Sequence, residues 1–243
     1  MKAFPHEFEA LLSRTGRKVL AGKHAACGVL AREQFFSALG LLDENQVRSA
    51  AGLMKRLFGD VLMRNERRAP APDKATISND DLLPKIARGW MVPTAGPGQA
   101  IALQRATEAG LVQMLQSPSY QRFCEALAGR SVEGPITLQV MCSERGDYSG
   151  PHTDHHPAEP RMVRGYVDVH LTFCDPGVQQ QFIVYAQGGH LNVMSSVAAN
   201  GTVTAYRLPL WHYTTPLQTR REGARRWVTM GTFLFGLDEG GAA

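Results

Sequence analysis

The chain has 243 residues, 44% hydrophobic, 8% aromatic and 20% charged, ordinary usage for a soluble globular protein that can bury one sizeable core. This excludes a disordered or collagen-like chain, and no run approaches the roughly 18 apolar residues of a membrane-spanning helix. The net charge of +4 is uneven: residues 1–70 carry 12 Lys/Arg against 7 Asp/Glu, and the remainder 14 against 15. Without a Lys/Arg block or interleaved aromatics, that basic excess reads as a solvated helical surface ahead of a nucleic-acid footprint.

Residues 1–17 contain Glu7, Glu9 and two Arg and no apolar stretch of the secretory kind. Cys27, Cys124, Cys142 and Cys174 are scattered, with no CxxC pair, which fits a reducing compartment. A cytoplasmic location is the expectation.

The hydrophobic period divides the chain near residue 130. Before it, Asp43 is placed to cap a helix whose apolar face is Val47, Ala50, Met54, Leu57, Phe58 and Val61. The proline-rich stretch 68–98 reads as loop with a short helix over 82–90. A second helical stripe, Tyr120, Phe123, Cys124 and Leu127, stops at Gly129. After residue 130 the period falls to two. Ile136, Leu138 and Val140 alternate with Thr137 and Gln139; over residues 166–173, Tyr166, Asp168, His170 and Thr172 oppose Val167, Val169, Leu171 and Phe173. That polar face lines a cavity or forms the solvated outside of a sheet. Residues 182–185, 191–194, 202–206 and 227–235 read as further strands, giving an α+β protein with helices packed on a mainly antiparallel sandwich or barrel. The expected division is a mainly helical support over residues 1–130 and a strand-rich catalytic core over 131–243, together one unit.

The densest chemical signal is Gly150-Pro151-His152-Thr153-Asp154-His155-His156-Pro157. On a helix, His152 and His156 would share a face and could hold zinc, but glycine and two prolines bracket the segment and the glutamate of that motif is absent. On an extended strand end, His152 and Asp154 converge while Thr153 points away. An imidazole and a carboxylate are two of the three ligands of the two-His-one-carboxylate triad for non-haem Fe(II). His212, 58 residues beyond Asp154, is the candidate third ligand, with Trp211 beside it as a pocket wall or a core residue. Arg225-Arg226 then opens the last strand, where a guanidinium suits a bidentate grip on a carboxylate. His155 and His156 read as loop residues, and His190 as the top of a turn.

These residues resemble the Fe(II)/2-oxoglutarate-dependent oxygenases, specifically their prolyl-hydroxylase-like branch. The resemblance rests on Gly146-Asp147-Tyr148-Ser149-Gly150-Pro151-His152-Thr153-Asp154, Gly188-Gly189-His190-Leu191, His212 with Pro216, and Arg226-Trp227, in that order. It implies a double-stranded β-helix (jelly-roll) with N-terminal helices packed against it. It also implies Fe(II) held by His152, Asp154 and His212, 2-oxoglutarate and O2 as cosubstrates, and ascorbate as a stimulant. Arg226 would grip the far carboxylate of 2-oxoglutarate, and Arg225, one residue earlier on the strand, would face away. Where many relatives place a cosubstrate-binding Tyr ahead of the first ligand, this chain has Cys142 and Ser143. Thr172 is the candidate hydroxyl partner instead, and Tyr148 would pack beside the metal.

The resulting expectation is a hydroxylase of a small molecule or amino acid, acting without nucleic acid or membrane. Two other readings compete: a non-oxygenase metal cupin (isomerase or hydrolase) using the same ligands, and a jelly-roll binding or regulatory protein whose basic N-terminal third engages nucleic acid.

Overall fold

Helices form where the chain supplies caps and an apolar face. The computed structural model describes residues 3–67, 86–154, 162, 165–187 and 189–236. A 3-10 turn at Phe8–Leu11 leads into α1 (Arg14–Leu20), capped by the Ser13 hydroxyl, and the short α2 (Val29–Arg32). Asp43 caps α3 (Glu44–Arg48), its Oδ1 accepting from the Asn45 and Gln46 N–H groups at 3.0 and 3.1 Å. The expected continuous helix breaks at Ser49 and resumes as α4 (Ala50–Phe58), burying Ala50, Met54 and Phe58. After α5 (Gly96–Glu108) and α6 (Leu111–Leu115), α7 (Pro118–Ala128) begins at the Ser117 cap with Pro118 in its first turn. It ends at Gly129, whose φ of 73° is the left-handed conformation that glycine adopts without steric cost.

The strands are β1 (Phe35–Ala38), β2 (Met63–Arg67), β3 (Ala87–Met91), β4 (Val132–Ser143), β5 (Tyr148–Ser149), β6 (Tyr166–Cys174) and β7 (Val178–Gln180). They continue as β8 (Phe182–Gln187), β9 (His190–Ser196), β10 (Val203–Leu208), β11 (His212–Thr214), β12 (Gln218–Thr219) and β13 (Arg226–Phe235). The large sheet runs β1-β10-β6-β13-β4-β3-β2 with β5 on β3; the small one runs β11-β8-β9, and β7 pairs β12. The named strand pairs are all antiparallel, and the large sheet curls in the manner of a jelly-roll with helices against it.

Three strands of the large sheet precede residue 130. The helix expected over 82–90 is instead β3 across 87–91, with 82–85 outside the described residues. Its hydrogen-bond partners come from β2 and from Cys142 and Met141 of β4, so tertiary pairing decides the conformation where local pattern is weak.

β6 shows how one sequence pattern builds both core and cavity. Val167, Val169, Leu171 and Phe173 are fully buried against the helical layer, in one cluster with Phe8, Tyr120, Phe123 and Leu127. Each such side chain contributes about 1.5–3 kcal/mol by leaving water. The Tyr120 hydroxyl donates to the Val169 carbonyl at 2.8 Å, tying α7 to the sheet. Gly231 of β13 makes that approach possible, because a Cβ there would lie 2.8 Å from Tyr120 Cε1. The opposite face of β6 turns Tyr166, Asp168 and His170 into the cavity, while Thr172 is fully buried and is not among the lining residues described.

Candidate metal centre

The backbone brings the two distant histidines together. The His152 N–H donates to the His212 carbonyl at 3.0 Å and the His212 N–H to the His152 carbonyl at 2.9 Å, an isolated antiparallel bridge. Their ring centroids lie 4.3 Å apart. Each ring is also held at its inner nitrogen: His152 Nδ1 is 2.6 Å from the Gly150 carbonyl oxygen, and His212 Nδ1 is 2.8 Å from that of Leu210. A carbonyl only accepts, so each Nδ1 carries the proton and each Nε2 presents its lone pair.

Both Nε2 atoms face one carboxylate oxygen. Asp154 Oδ2 lies 3.1 Å from His152 Nε2 and 3.7 Å from His212 Nε2. Asp154 reaches this position with φ 54°, a left-handed conformation that aspartate tolerates better than most residues, while Tyr166 donates its hydroxyl to the Asp154 carbonyl. The three ligand atoms lie within 4.8 Å of one another, and the donor set is the one that non-haem Fe(II) takes. The residues therefore fit the metal. Among the described residues this is the one His/Cys/Asp/Glu group so arranged.

The triad opens on a cavity of about 360 Å³ between the two sheets. Tyr166, Asp168, His170 and Arg226 line it, which settles the alternative for β6: its polar face is the inside. Arg226 is buried and donates from Nη2 to Thr172 Oγ1 at 3.2 Å, from Nη1 to Gln181 Oε1 at 3.1 Å and from Nε to the Val197 carbonyl at 2.9 Å. Burial lowers its pKa, yet a guanidinium stays charged in a protein. Arg225 turns the other way and pairs with Glu144 at 2.7 Å. Tyr148 is half-buried on β5 and also lines the cavity. Trp211, read as a pocket wall or a core residue, is partly buried and is not among the lining residues described. His155, His156 and Gly188 lie outside the described residues, and His190 is exposed at the start of β9.

Two residues enter the site unannounced by the sequence reading. Tyr206 of β10 stands with its ring centroid 5.1 Å from that of His212, and its hydroxyl is 3.1 Å from His170 Nε2. Its alternation with Thr204 is the signal that marks it. Gln181 is the last of three consecutive glutamines, and nothing local sets it apart. His170, buried first and then repelled by the Arg226 charge, has its pKa pushed down to about 3 and is neutral.

Structural comparison agrees with this architecture. The chain superposes on the non-haem alpha-ketoglutarate-dependent epimerase SnoN from nogalamycin biosynthesis with a TM-score of 0.55 and 15% identity, covering 90% of this chain and 83% of that one. The chain has the fold of the 2-oxoglutarate-dependent oxygenases. The alpha-ketoglutarate-dependent carbocyclase SnoK from the same biosynthesis gives 0.53 and 11% identity over 96% and 87% of the two chains. AviO1 from Streptomyces viridochromogenes gives 0.50 and 13% identity over 90% and 95%. No family model and no curated protein matches the sequence. On this oxygenase fold, the His152–Asp154–His212 cluster and the Arg226 corner occupy the same cavity. No described helix is long and apolar enough to cross a membrane.

Proposed function

We propose that the protein is an Fe(II)- and 2-oxoglutarate-dependent oxygenase that hydroxylates a small molecule or an amino acid. The observation that carries this reading is one cavity holding both a two-His-one-carboxylate cluster and a buried arginine beside a threonine hydroxyl. A metal cupin with other chemistry does not require that arginine.

His152, Asp154 and His212 would hold the iron through Nε2, Oδ2 and Nε2. When bound, iron with 2-oxoglutarate and O2 supplies the oxidising power, and succinate and CO2 leave as co-products. The protein's own residues supply the rest. The Gly150 and Leu210 carbonyls fix the imidazole tautomers; Arg226 and Thr172 take the far carboxylate of the cosubstrate with charge-assisted hydrogen bonds. Val197, Val228 and Ile183 give that region apolar walls that exclude water and strengthen the pairing. Tyr148 narrows the approach on the β5 side. Met91, Met141 and Met230, with Gln139, line the cavity on β3, β4 and β13, and this wall is left for the substrate. A volume of about 360 Å³ is at the small end of the range for ligand sites, which favours a small substrate.

Succinate release, assayed across amino acids and small organic acids with Fe(II), 2-oxoglutarate and O2, tests the reading. Substrate-dependent succinate with an oxygen atom added to the substrate supports it. SnoN and SnoK are an epimerase and a carbocyclase, so product mass separates hydroxylation from an outcome that adds no oxygen.

A further inference from the structure

Arg226 is a buried cation whose anchors are all neutral: a backbone carbonyl, an amide oxygen and a hydroxyl. A guanidinium has five N–H donors, so these bonds leave one on each terminal nitrogen. Among the described residues no carboxylate forms an ion pair with it. The described wall orients this charge and supplies no carboxylate to balance it. A buried charge is costly until an opposite one joins it, so the corner is built to be completed by an anionic group.

Gln181 is the anchor whose chemistry matters most. It is 1% exposed. Its Nε2 donates to the Asp147 carbonyl at 3.2 Å and to the Thr215 carbonyl at 3.0 Å. Both partners are acceptors only, so the amide has one orientation. Reversed, it would set its oxygen against two carbonyl oxygens and its NH2 against the guanidinium.

The two carbonyls are themselves fixed by contacts with the protein. The buried Asp147 carboxylate takes Arg64 Nη2 at 3.1 Å, Arg88 Nε at 3.4 Å and the Glu144 N–H at 2.8 Å. Thr215 exchanges hydrogen bonds with the Phe182 backbone at 2.9 and 3.0 Å. The amide oxygen of Gln181 is therefore aimed at Arg226 by a frame that does not depend on any ligand.

We propose that Gln181 is a positioning and selectivity residue for the cosubstrate: it orients the Arg226 guanidinium without discharging it. The whole positive charge is then kept for the far carboxylate of a 2-oxo dicarboxylate. This rests on the oxygenase reading above. A glutamate of the same shape would also accept from Arg226, but it would cancel the charge and set an oxygen against the Asp147 and Thr215 carbonyls. An alanine would remove one anchor, leave Thr172 and Val197 in place, and add no charge.

The test is calorimetric titration of anaerobic Fe(II)-loaded protein with 2-oxoglutarate and, separately, with 2-oxovalerate, which has the same chain length and no far carboxylate. Wild type, Gln181→Glu and Gln181→Ala are compared, with iron content and melting temperature recorded for each. Gln181→Glu should weaken 2-oxoglutarate at least tenfold and lower its preference over 2-oxovalerate by a similar factor, the scale of losing a buried ion pair. Gln181→Ala should weaken 2-oxoglutarate clearly less than Gln181→Glu does, because it removes one anchor of the guanidinium and adds no opposing charge, with the preference kept. Iron content should not change, because Gln181 touches none of the triad.

Unchanged preference in Gln181→Glu, or equal loss in both variants, overturns the proposal. If Gln181→Glu does not fold, loss of the preference in Gln181→Ala overturns it and retention supports it. A wild type that holds iron yet ignores 2-oxoglutarate overturns the oxygenase reading instead, so the two failures have different signatures.

Discussion

His152 and His212, 60 positions apart in the chain, exchange both backbone hydrogen bonds across one antiparallel bridge, at 3.0 and 2.9 Å. The two Nε2 atoms are thus positioned by main chain, and Asp154 adds its carboxylate from the left-handed residue that follows the bridge. Replacing any of the three side chains should leave that backbone intact. His152→Ala, Asp154→Ala and His212→Ala should each lose iron and turnover with the metal-free melting temperature nearly unchanged. Iron content by elemental analysis, alongside thermal denaturation, checks this; full iron occupancy in Asp154→Ala contradicts it.

Arg226 and Arg225 are adjacent and point in opposite directions, one to Thr172 and the other to Glu144. Arg226→Ala should weaken 2-oxoglutarate binding by about 2–5 kcal/mol, or roughly 30-fold and upward. Arg226→Lys should fall between, since it keeps the charge and loses the fork. Arg225→Ala should bind like wild type. Apparent KM for 2-oxoglutarate across the three variants is the readout, and a damaged Arg225→Ala with an intact Arg226→Ala would invert the facing of β13.

Much of this was legible in the sequence because strand alternation carries the information directly. The period-two pattern of residues 166–173 placed Thr172 and His170 on one face, and the structure puts that face inside. The stripe from Tyr120 to Leu127 and its stop at Gly129 became α7 as expected. The strands at 35–38, 63–67 and 87–91 were not legible, since each is short and takes its hydrogen-bond partners from distant segments. Gln181 was hidden for the same reason: its role comes from carbonyls 34 residues away on both sides. The helix break at Ser49 also leaves the apolar stripe unchanged, so periodicity does not reveal it.

Gly231 is the point of closest approach between α7 and β13. Gly231→Ala should drive the Tyr120 ring from its place over Val169 and destabilise the fold by about 1–3 kcal/mol, the usual cost of overpacking. Chemical denaturation of the metal-free protein measures it, and an unchanged midpoint would contradict the packing described.

His170 gives the fold a pH dependence of definite sign. Its folded pKa of about 3 lies below the unfolded value near 6.5, so the folded state holds it neutral. Its contribution is complete above pH 6.5 and is lost as the pH falls from there toward 3. His170→Gln should therefore lose less stability than wild type between pH 7 and pH 4. Melting temperatures of both proteins, metal-free, at the two pH values decide it; parallel losses would remove His170 from the account.

The most direct test of the central claim is anaerobic addition of 2-oxoglutarate to the Fe(II)-loaded protein, followed in the visible range. A 2-oxo acid chelating Fe(II) gives a charge-transfer band, and the account predicts one that saturates with 2-oxoglutarate in wild type. It should need far more 2-oxoglutarate in Arg226→Ala and be absent in the iron-free Asp154→Ala. Iron bound at full occupancy with no band at any 2-oxoglutarate concentration would contradict the reading of this cavity as an oxygenase site.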